Sequence, residues 1–365
     1  MSDYITSNIK GIFIDNQVKR SLITNTVSKN AGSIPIIYGD FIRLDDREFK
    51  KGYVYLLKHK GRFFKKCPGT KFYNCCGYKI IHIGEGCPLN CSYCILKAYF
   101  SHNSIKVWAN IDDLYMELDK IFSNKKKFFR VGTGEFTDSL ATEYLTNYSR
   151  YLIEFLFQFK NVILELKTKV IDLSWIDAVK DPRFVLPAWS LNSIDITTKE
   201  ERFTAPLEER LKAAKTCVEM GFRVCLHFDP IIYYPGWERG YKGTIEMIFD
   251  YIKPKDIAYL SLGSFRGMPY LFKFIEQNWP DSDYIYFGEF IKGVDGKLRL
   301  FRPIRIKQFR FIVNLLRKYG VDKQIYFCME SDEVWRATLG YTPKDLGGLA
   351  NHLIQLCFAP FQSTN

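Results

Sequence analysis

Apolar positions recur along this chain with two periods. β-branched and aromatic runs cover residues 80–84, 128–133, 162–168, 184–192, 222–231 and 257–263, while the stretches 140–159, 174–180, 206–220 and 244–252 carry apolar residues at helical spacing. Gly221 stands as a stop for the helix at 206–220. Repeated β/α units imply a parallel sheet, and right-handed crossovers curl such a sheet. The pattern therefore predicts an α/β fold built on a partial (β/α)6 TIM-like barrel. Residues 1–78 read as an N-terminal extension with a Cys-rich segment, 79–265 as the barrel, and 266–365 as a C-terminal region. That last region holds a β-hairpin, a helix and an additional strand at 325–329. The hairpin arms, 284–291 and 297–303, flank Gly293-Val294-Asp295-Gly296, whose Asp-Gly pair is a hairpin-turn signal.

Barrel enzymes build their sites at the carboxyl ends of the strands. Because strand side chains alternate faces, Glu165, Lys167 and Lys169 share one side of their strand, and this polar set is expected in the lumen. By the same count Ala188, Ser190 and Asn192 point inward, as do Cys225, His227 and Asp229. In the late strand Tyr326, Cys328 and Glu330 share a face. Polar residues recurring at one end of successive strands are poor core packing, since buried polar groups need partners.

Composition narrows the class. With 365 residues, 47% apolar and 25% charged, the chain can bury a large core. Its apolar runs are too short to span a bilayer and its start lacks a basic-then-apolar leader, so a cytoplasmic monomer without membrane contact is expected. Lys and Arg number 52 against 40 acidic residues, and the resulting +12 favours an anionic partner such as nucleic acid. The hairpin is the most DNA-like element, because Lys292, Lys297, Arg299, Arg302 and Arg305 make it basic; the alternative is a plain edge hairpin whose charges block aggregation. The basic and aromatic run 58–66 would suit phosphates and bases, whereas 125–130 reads as a solvated helix end before a buried strand.

Cys87, Cys91 and Cys94 form a C-x3-C-x2-C triplet just after the first barrel strand. Three thiolates on one loop can hold three irons of a [4Fe-4S] cluster and leave the fourth iron open. Structural zinc needs a fourth ligand, and although His82 and His102 are close in sequence, the usual paired spacing is lacking. Three more cysteines, Cys67, Cys75 and Cys76, lie upstream; an auxiliary metal, a redox thiol and simple burial all remain open for them. The run Gly132-Thr133-Gly134-Glu135 ends the second strand, where small residues allow close approach and a carboxylate can accept hydrogen bonds from an ammonium group.

The triplet, with Tyr93 before its last cysteine, resembles the signature of radical S-adenosylmethionine (SAM) enzymes. Three further segments resemble the spore photoproduct lyase branch, a DNA-repair family: Ala188-Trp189-Ser190-Leu191-Asn192-Ser193, Pro206-Leu207-Glu208-Glu209-Arg210, and the run 229–238 beginning Asp229-Pro230. The resemblance covers roughly residues 67–335. It implies a [4Fe-4S] cluster on Cys87, Cys91 and Cys94, and SAM chelating the open iron. By position it also implies Gly134 and Glu135 at the SAM ammonium, Lys167 or Lys169 at its carboxylate, Ser190 or Asn192 at the ribose and Tyr93 near the adenine. An electron donor such as flavodoxin or ferredoxin would reduce the cluster, and the substrate would be a thymine photolesion in DNA.

The chain departs from the family in one respect. Repair lyases of this family carry a hydrogen-donating cysteine after the second strand and a tyrosine directly after the third cluster cysteine. Here the chain has no cysteine between Cys94 and Cys217, and Ile95 follows the cluster. Cys225, Cys328 and Tyr326 are the candidate substitutes from the lumen. A radical SAM enzyme acting on a nucleoside, peptide or small metabolite is the alternative, and a non-catalytic nucleic-acid-binding iron-sulfur protein the third reading.

Overall fold

A computed structural model describes residues 9–41, 48–70, 72–101 and 104–358; His102 lies outside the described residues. The strands, in chain order, are β1 (Gly11–Asp15), β2 (Ile36–Gly39), β3 (Tyr53–Leu57), β4 (Phe64–Lys66), β5 (Lys79–Ile81), β6 (Gly84–Glu85), β7 (Asn90–Cys91), β8 (Ile105–Trp108) and β9 (Phe129–Gly132). They continue with β10 (Val162–Thr168), β11 (Val185–Ser190), β12 (Glu201–Arg202), β13 (Val224–Ile231), β14 (Ile257–Ser264), β15 (Arg266–Gly267), β16 (Phe290–Lys292), β17 (Leu298–Leu300) and β18 (Ile325–Phe327).

The principal sheet runs β18-β14-β13-β11-β10-β9-β5-β4 and is parallel except at its antiparallel edge strand β4. All six expected barrel strands are present, and β18 adds a seventh in parallel. Parallel sheets are covered on both faces, and β14 accordingly is buried at every position. The helix Leu207–Glu219 matches its expected span closely. The stretch at 140–159 instead divides into Glu143–Thr146 and Tyr148–Leu156, because Asn147 sits in the left-handed region at φ 50°. Residues 174–180 make only a 3-10 turn, Ser174–Ala178, and the helix expected at 244–252 starts earlier, at Trp237, after Gly236 at φ 83°.

The sheet does not close on itself. Its open seam lies between the β4/β5 edge and β18, and the Cys-rich segment fills it. Asn74 donates to the Glu330 carbonyl from both its backbone N and its Nδ2 (each 3.1 Å), and Nδ2 also reaches Asp332 Oδ1 at 2.9 Å. Thr70 donates to Asp295 Oδ2 at 3.1 Å. At the opposite end of the barrel, the helix Leu349–Phe358 packs on β9 and β14.

Residues before the barrel form a sheet of their own, β2-β1-β3-β8-β6, parallel except for β6. Its last two strands come from the stretch around the cysteine triplet, beyond residue 78. Gly84 and Gly86 make the join possible, because a Cβ on either would collide with the carbonyl of Lys106 or Ser104. The hairpin is shorter than expected: β16 and β17 pair antiparallel, β15 adds a third strand, and the expected arms give way to a short helix at Asp283–Tyr286 and a long one at Arg302–Lys318. Pro303 suits the first turn of that helix. Among the described residues no helix is long and apolar enough to cross a membrane.

Candidate active site

The carboxyl ends of the strands open into one cavity, and part of the inward set read from the sequence lines it, while Ala188, Asn192, Cys225 and Glu330 do not. Glu165 and Lys167 of β10, Lys169 just after it, Ser190 of β11, His227 and Asp229 of β13, and Tyr326 and Cys328 at the end of β18 all line it, together with Cys87, Cys91 and Cys94. Behind the triplet, β7 pairs antiparallel with β12, and the Ser92 N–H donates to the Glu200 carbonyl at 2.9 Å. Two adjacent carboxylates then clamp the loop. Glu200 accepts from the hydroxyls of Ser92, Ser282 and Tyr284, and Glu201 accepts from the Tyr93 hydroxyl. Glu201 is itself held by Arg210 at 2.6 Å, with both side chains fully buried. Burial raises the Glu201 carboxyl, but Arg210 and Lys169 outweigh it and the net shift is downward, so the group is an anion. Sequence reading missed Glu200 and Glu201; Arg210, inside a family-like segment, was the available signal.

Glu135 and Lys167 face each other across the cavity at 3.7 Å, both partly exposed. Burial lowers the Lys167 ammonium, yet Glu135, Glu165 and Asp229 more than compensate and hold it charged. Lys169 is committed elsewhere, 3.9 Å from Glu201 and 5.7 Å from the Tyr93 ring centroid. The two glycines before Glu135 have separate reasons. A Cβ at Gly132 would collide with the Tyr78 hydroxyl, and one at Gly134 would sit 2.9 Å from both the Lys167 carbonyl and Ser139 Oγ.

Lower in the lumen, Glu165 is fully buried and accepts from Arg130 Nη1 at 3.4 Å and from the Tyr259 hydroxyl, with His227 Nε2 3.4 Å away. Burial pushes its carboxyl up, while His227 and Arg130 bring it below the ordinary value. Near the mouth, Arg266 reaches Asp229 at 3.4 Å and Cys328 Sγ at 3.3 Å. Burial, then Asp229, raises the Cys328 thiol well above its ordinary value, so the sulfur keeps its hydrogen.

Several expected site residues are placed differently. Asn192 is buried in a packing network, donating to the Pro230 carbonyl at 3.0 Å and accepting from Tyr241, so it is not on the cavity wall. Cys225 is fully buried and lies outside the cavity lining. Arg299 and Arg305 are not free for phosphate: the first pairs with Asp295 at 2.6 Å and the second with Glu330 at 2.9 Å, all inside the protein. Arg302 and Arg305 also belong to the helix after the hairpin. Lys297 lines the cavity, and of the basic set only Lys292 and Arg302 are exposed. Two thiols were missed as lumen groups: Cys67 and Cys76 line the cavity, Cys67 lying 4.0 Å from Glu135, while Cys75 is exposed.

A cysteine triplet at the mouth of a partial (β/α) barrel, facing a carboxylate and an ammonium group, defines the radical SAM class. The profile of the family described as spore photoproduct lyase matches residues 63–284. This chain belongs to the spore photoproduct lyase family. It is 22% identical over 179 residues to a spore photoproduct lyase of Clostridium acetobutylicum, an alignment covering 48% of this chain and 53% of the relative. The chain thus spans about half the length of that curated relative. Two solved structures share its fold: a point mutant of spore photoproduct lyase (TM-score 0.76) and a double mutant with bound AdoMet and dinucleoside spore photoproduct (TM-score 0.74). Each is 17% identical, with 88% of this chain and 99% of the other covered.

Proposed function

We propose that this protein is a radical SAM lyase repairing the thymine photolesion called spore photoproduct in DNA. The observation that carries the reading is the convergence, in one cavity, of the cysteine triplet, the Glu135–Lys167 pair and three thiols. Cys87, Cys91 and Cys94 would hold three irons of a [4Fe-4S] cluster, and the fourth would be left for SAM. When bound, that pair supplies a 5'-deoxyadenosyl radical, the reagent that takes a hydrogen atom from the substrate. Glu135 and Lys167 fit the ammonium and carboxylate of an amino acid, each replacing its present partner with a ligand charge. Ser190 remains the hydroxyl available to the ribose, and Tyr93, fixed by Glu201, would border the adenine.

The hydrogen returned to the product radical has to come from the lumen. Cys328 and Cys76, both neighbours of Tyr326, and Cys67 beside Glu135 are thiols on the cavity wall, which supports a donor there despite the gap between Cys94 and Cys217. The transfer breaks the S–H bond, forms a C–H bond on the substrate and leaves a thiyl radical on sulfur. The basic charge suits a DNA partner, and a flavodoxin or ferredoxin would serve as electron donor to a cytoplasmic monomer.

The test is anaerobic SAM cleavage with and without dinucleotide spore photoproduct, following deuterium from the thymine C6 position into 5'-deoxyadenosine. Transfer with repair is the expected result. Normal uncoupled cleavage without transfer overturns the substrate, and cleavage by the triple alanine variant of Cys87, Cys91 and Cys94 overturns the whole reading.

A further inference from the structure

Tyr78 lies in the lumen. It is 6% exposed and lines the cavity, and its hydroxyl finds no hydrogen-bond partner among the described residues. A buried hydroxyl without an acceptor is destabilising, and such groups are uncommon in folded proteins. This one is also deliberately housed. The ring stacks under the Arg130 guanidinium, 5.0 Å from its centroid, and the hydroxyl occupies space that exists only because residue 132 is glycine. The neighbouring acceptor, Glu165, is already engaged by Arg130, Tyr259 and His227.

We infer that the Tyr78 hydroxyl is a substrate-recognition group, donating a hydrogen bond to a carbonyl oxygen of the lesion's pyrimidine rings. The inference rests on the lyase reading above and deepens it. A pyrimidine imide presents carbonyl acceptors on its edge, and an uncharged phenol is the donor suited to them. Burial and then Glu165 raise the Tyr78 phenol well above its ordinary value, so it remains a donor across the working pH range. Cys76, two residues earlier, lines the same cavity. Specificity follows from the same physics: a site built around an unpaired donor discriminates against ligands that lack the acceptor.

The test uses the full reconstituted chain with SAM bound and no reductant, so that binding is measured without turnover. Probes are the dinucleotide spore photoproduct and analogues in which one ring carbonyl at a time becomes a thiocarbonyl, a weaker acceptor. Tyr78→Phe should weaken the parent lesion by roughly 5- to 100-fold. The wild type should lose affinity for one thio analogue relative to the parent, and Tyr78→Phe should abolish that difference. Iron content should be unchanged and the thermal midpoint of the unliganded variant equal or higher, since a partnerless buried hydroxyl has been removed. Equal lesion affinity in the two proteins, or a thio effect that persists in Tyr78→Phe, overturns the role of Tyr78 while leaving the lyase reading intact. Failure of the wild type to bind the lesion overturns both.

Discussion

Glu135 and Lys167 already satisfy one another, so a ligand that needs both must separate them. Each side chain is only about a quarter exposed, so the ligand's own charges have to replace that attraction. A hydrogen bond to a ligand charge is worth more than one between neutral groups, and Glu135→Ala should weaken SAM binding by roughly 10- to 100-fold with iron content unchanged. Equilibrium binding with parallel iron analysis checks this; lost iron or unaltered affinity would contradict it. The thiols separate in the same way. Cys225→Ala should leave the repair product and the SAM consumed per repair unchanged, whereas removing the donor among Cys76, Cys67 and Cys328 should raise SAM consumption per repair, as read by product ratios across the four single variants. Alternation along strands made most of this site legible, because it is a geometric property of the chain. It failed where the geometry lapses. β11 ends at Ser190, so Asn192 no longer obeys its parity, and Cys225 has the right parity but sits two residues deeper than His227. Arg299 and Arg305 could not be recognised as buried from composition, since a basic residue reads as a surface charge until its acid is found.

Among the elements, the helix at Tyr148–Leu156 carries an unusual cap. Glu143 is buried and accepts from the backbone N–H groups of Ser149 and Arg150 at 2.8 and 3.0 Å, bridging the break at Asn147. Burial pushes its carboxyl up to about 7 from an ordinary 4.5, against the pull of those two N–H groups. Between these values the unfolded chain ionises first, so the folded state loses stability as pH rises. The difference in unfolding free energy between wild type and Glu143→Gln should therefore shift against the wild type from about pH 4.5 to about pH 7, by roughly 3 kcal/mol. Denaturant titrations at several pH values read this; a flat difference would refute the assignment. The hairpin makes a second expectation. Only Lys292 and Arg302 of its basic set are exposed, so replacing both by Glu should weaken duplex DNA binding and flatten its salt dependence by about 2 in slope, whereas Arg299→Glu should lower the melting temperature. Hairpin strands were foreseeable from the Asp-Gly turn, but their length was not, because the flanking segments Asp283–Tyr286 and Arg302–Lys318 are helical.

Across the whole molecule, six barrel strands were visible as apolar runs, while the sheet formed by β1, β2, β3, β6 and β8 was not. Its strands are short and scattered from Gly11 to Trp108, on both sides of the barrel's first strand, so no local pattern ties them together. The seam has a further consequence. Asn74 meets Glu330 and Asp332 across 256 and 258 residues of chain, and Thr70 meets Asp295 across 225. A ribosome adding about 5–20 residues per second exposes Cys94 on the order of tens of seconds before Glu330 exists to receive Asn74. For that interval the nascent cysteine loop faces an unfinished wall. The seam is therefore a second approach to the cysteine loop, beside the cavity mouth, that iron, sulfide and oxidants share until the end of the barrel has been made.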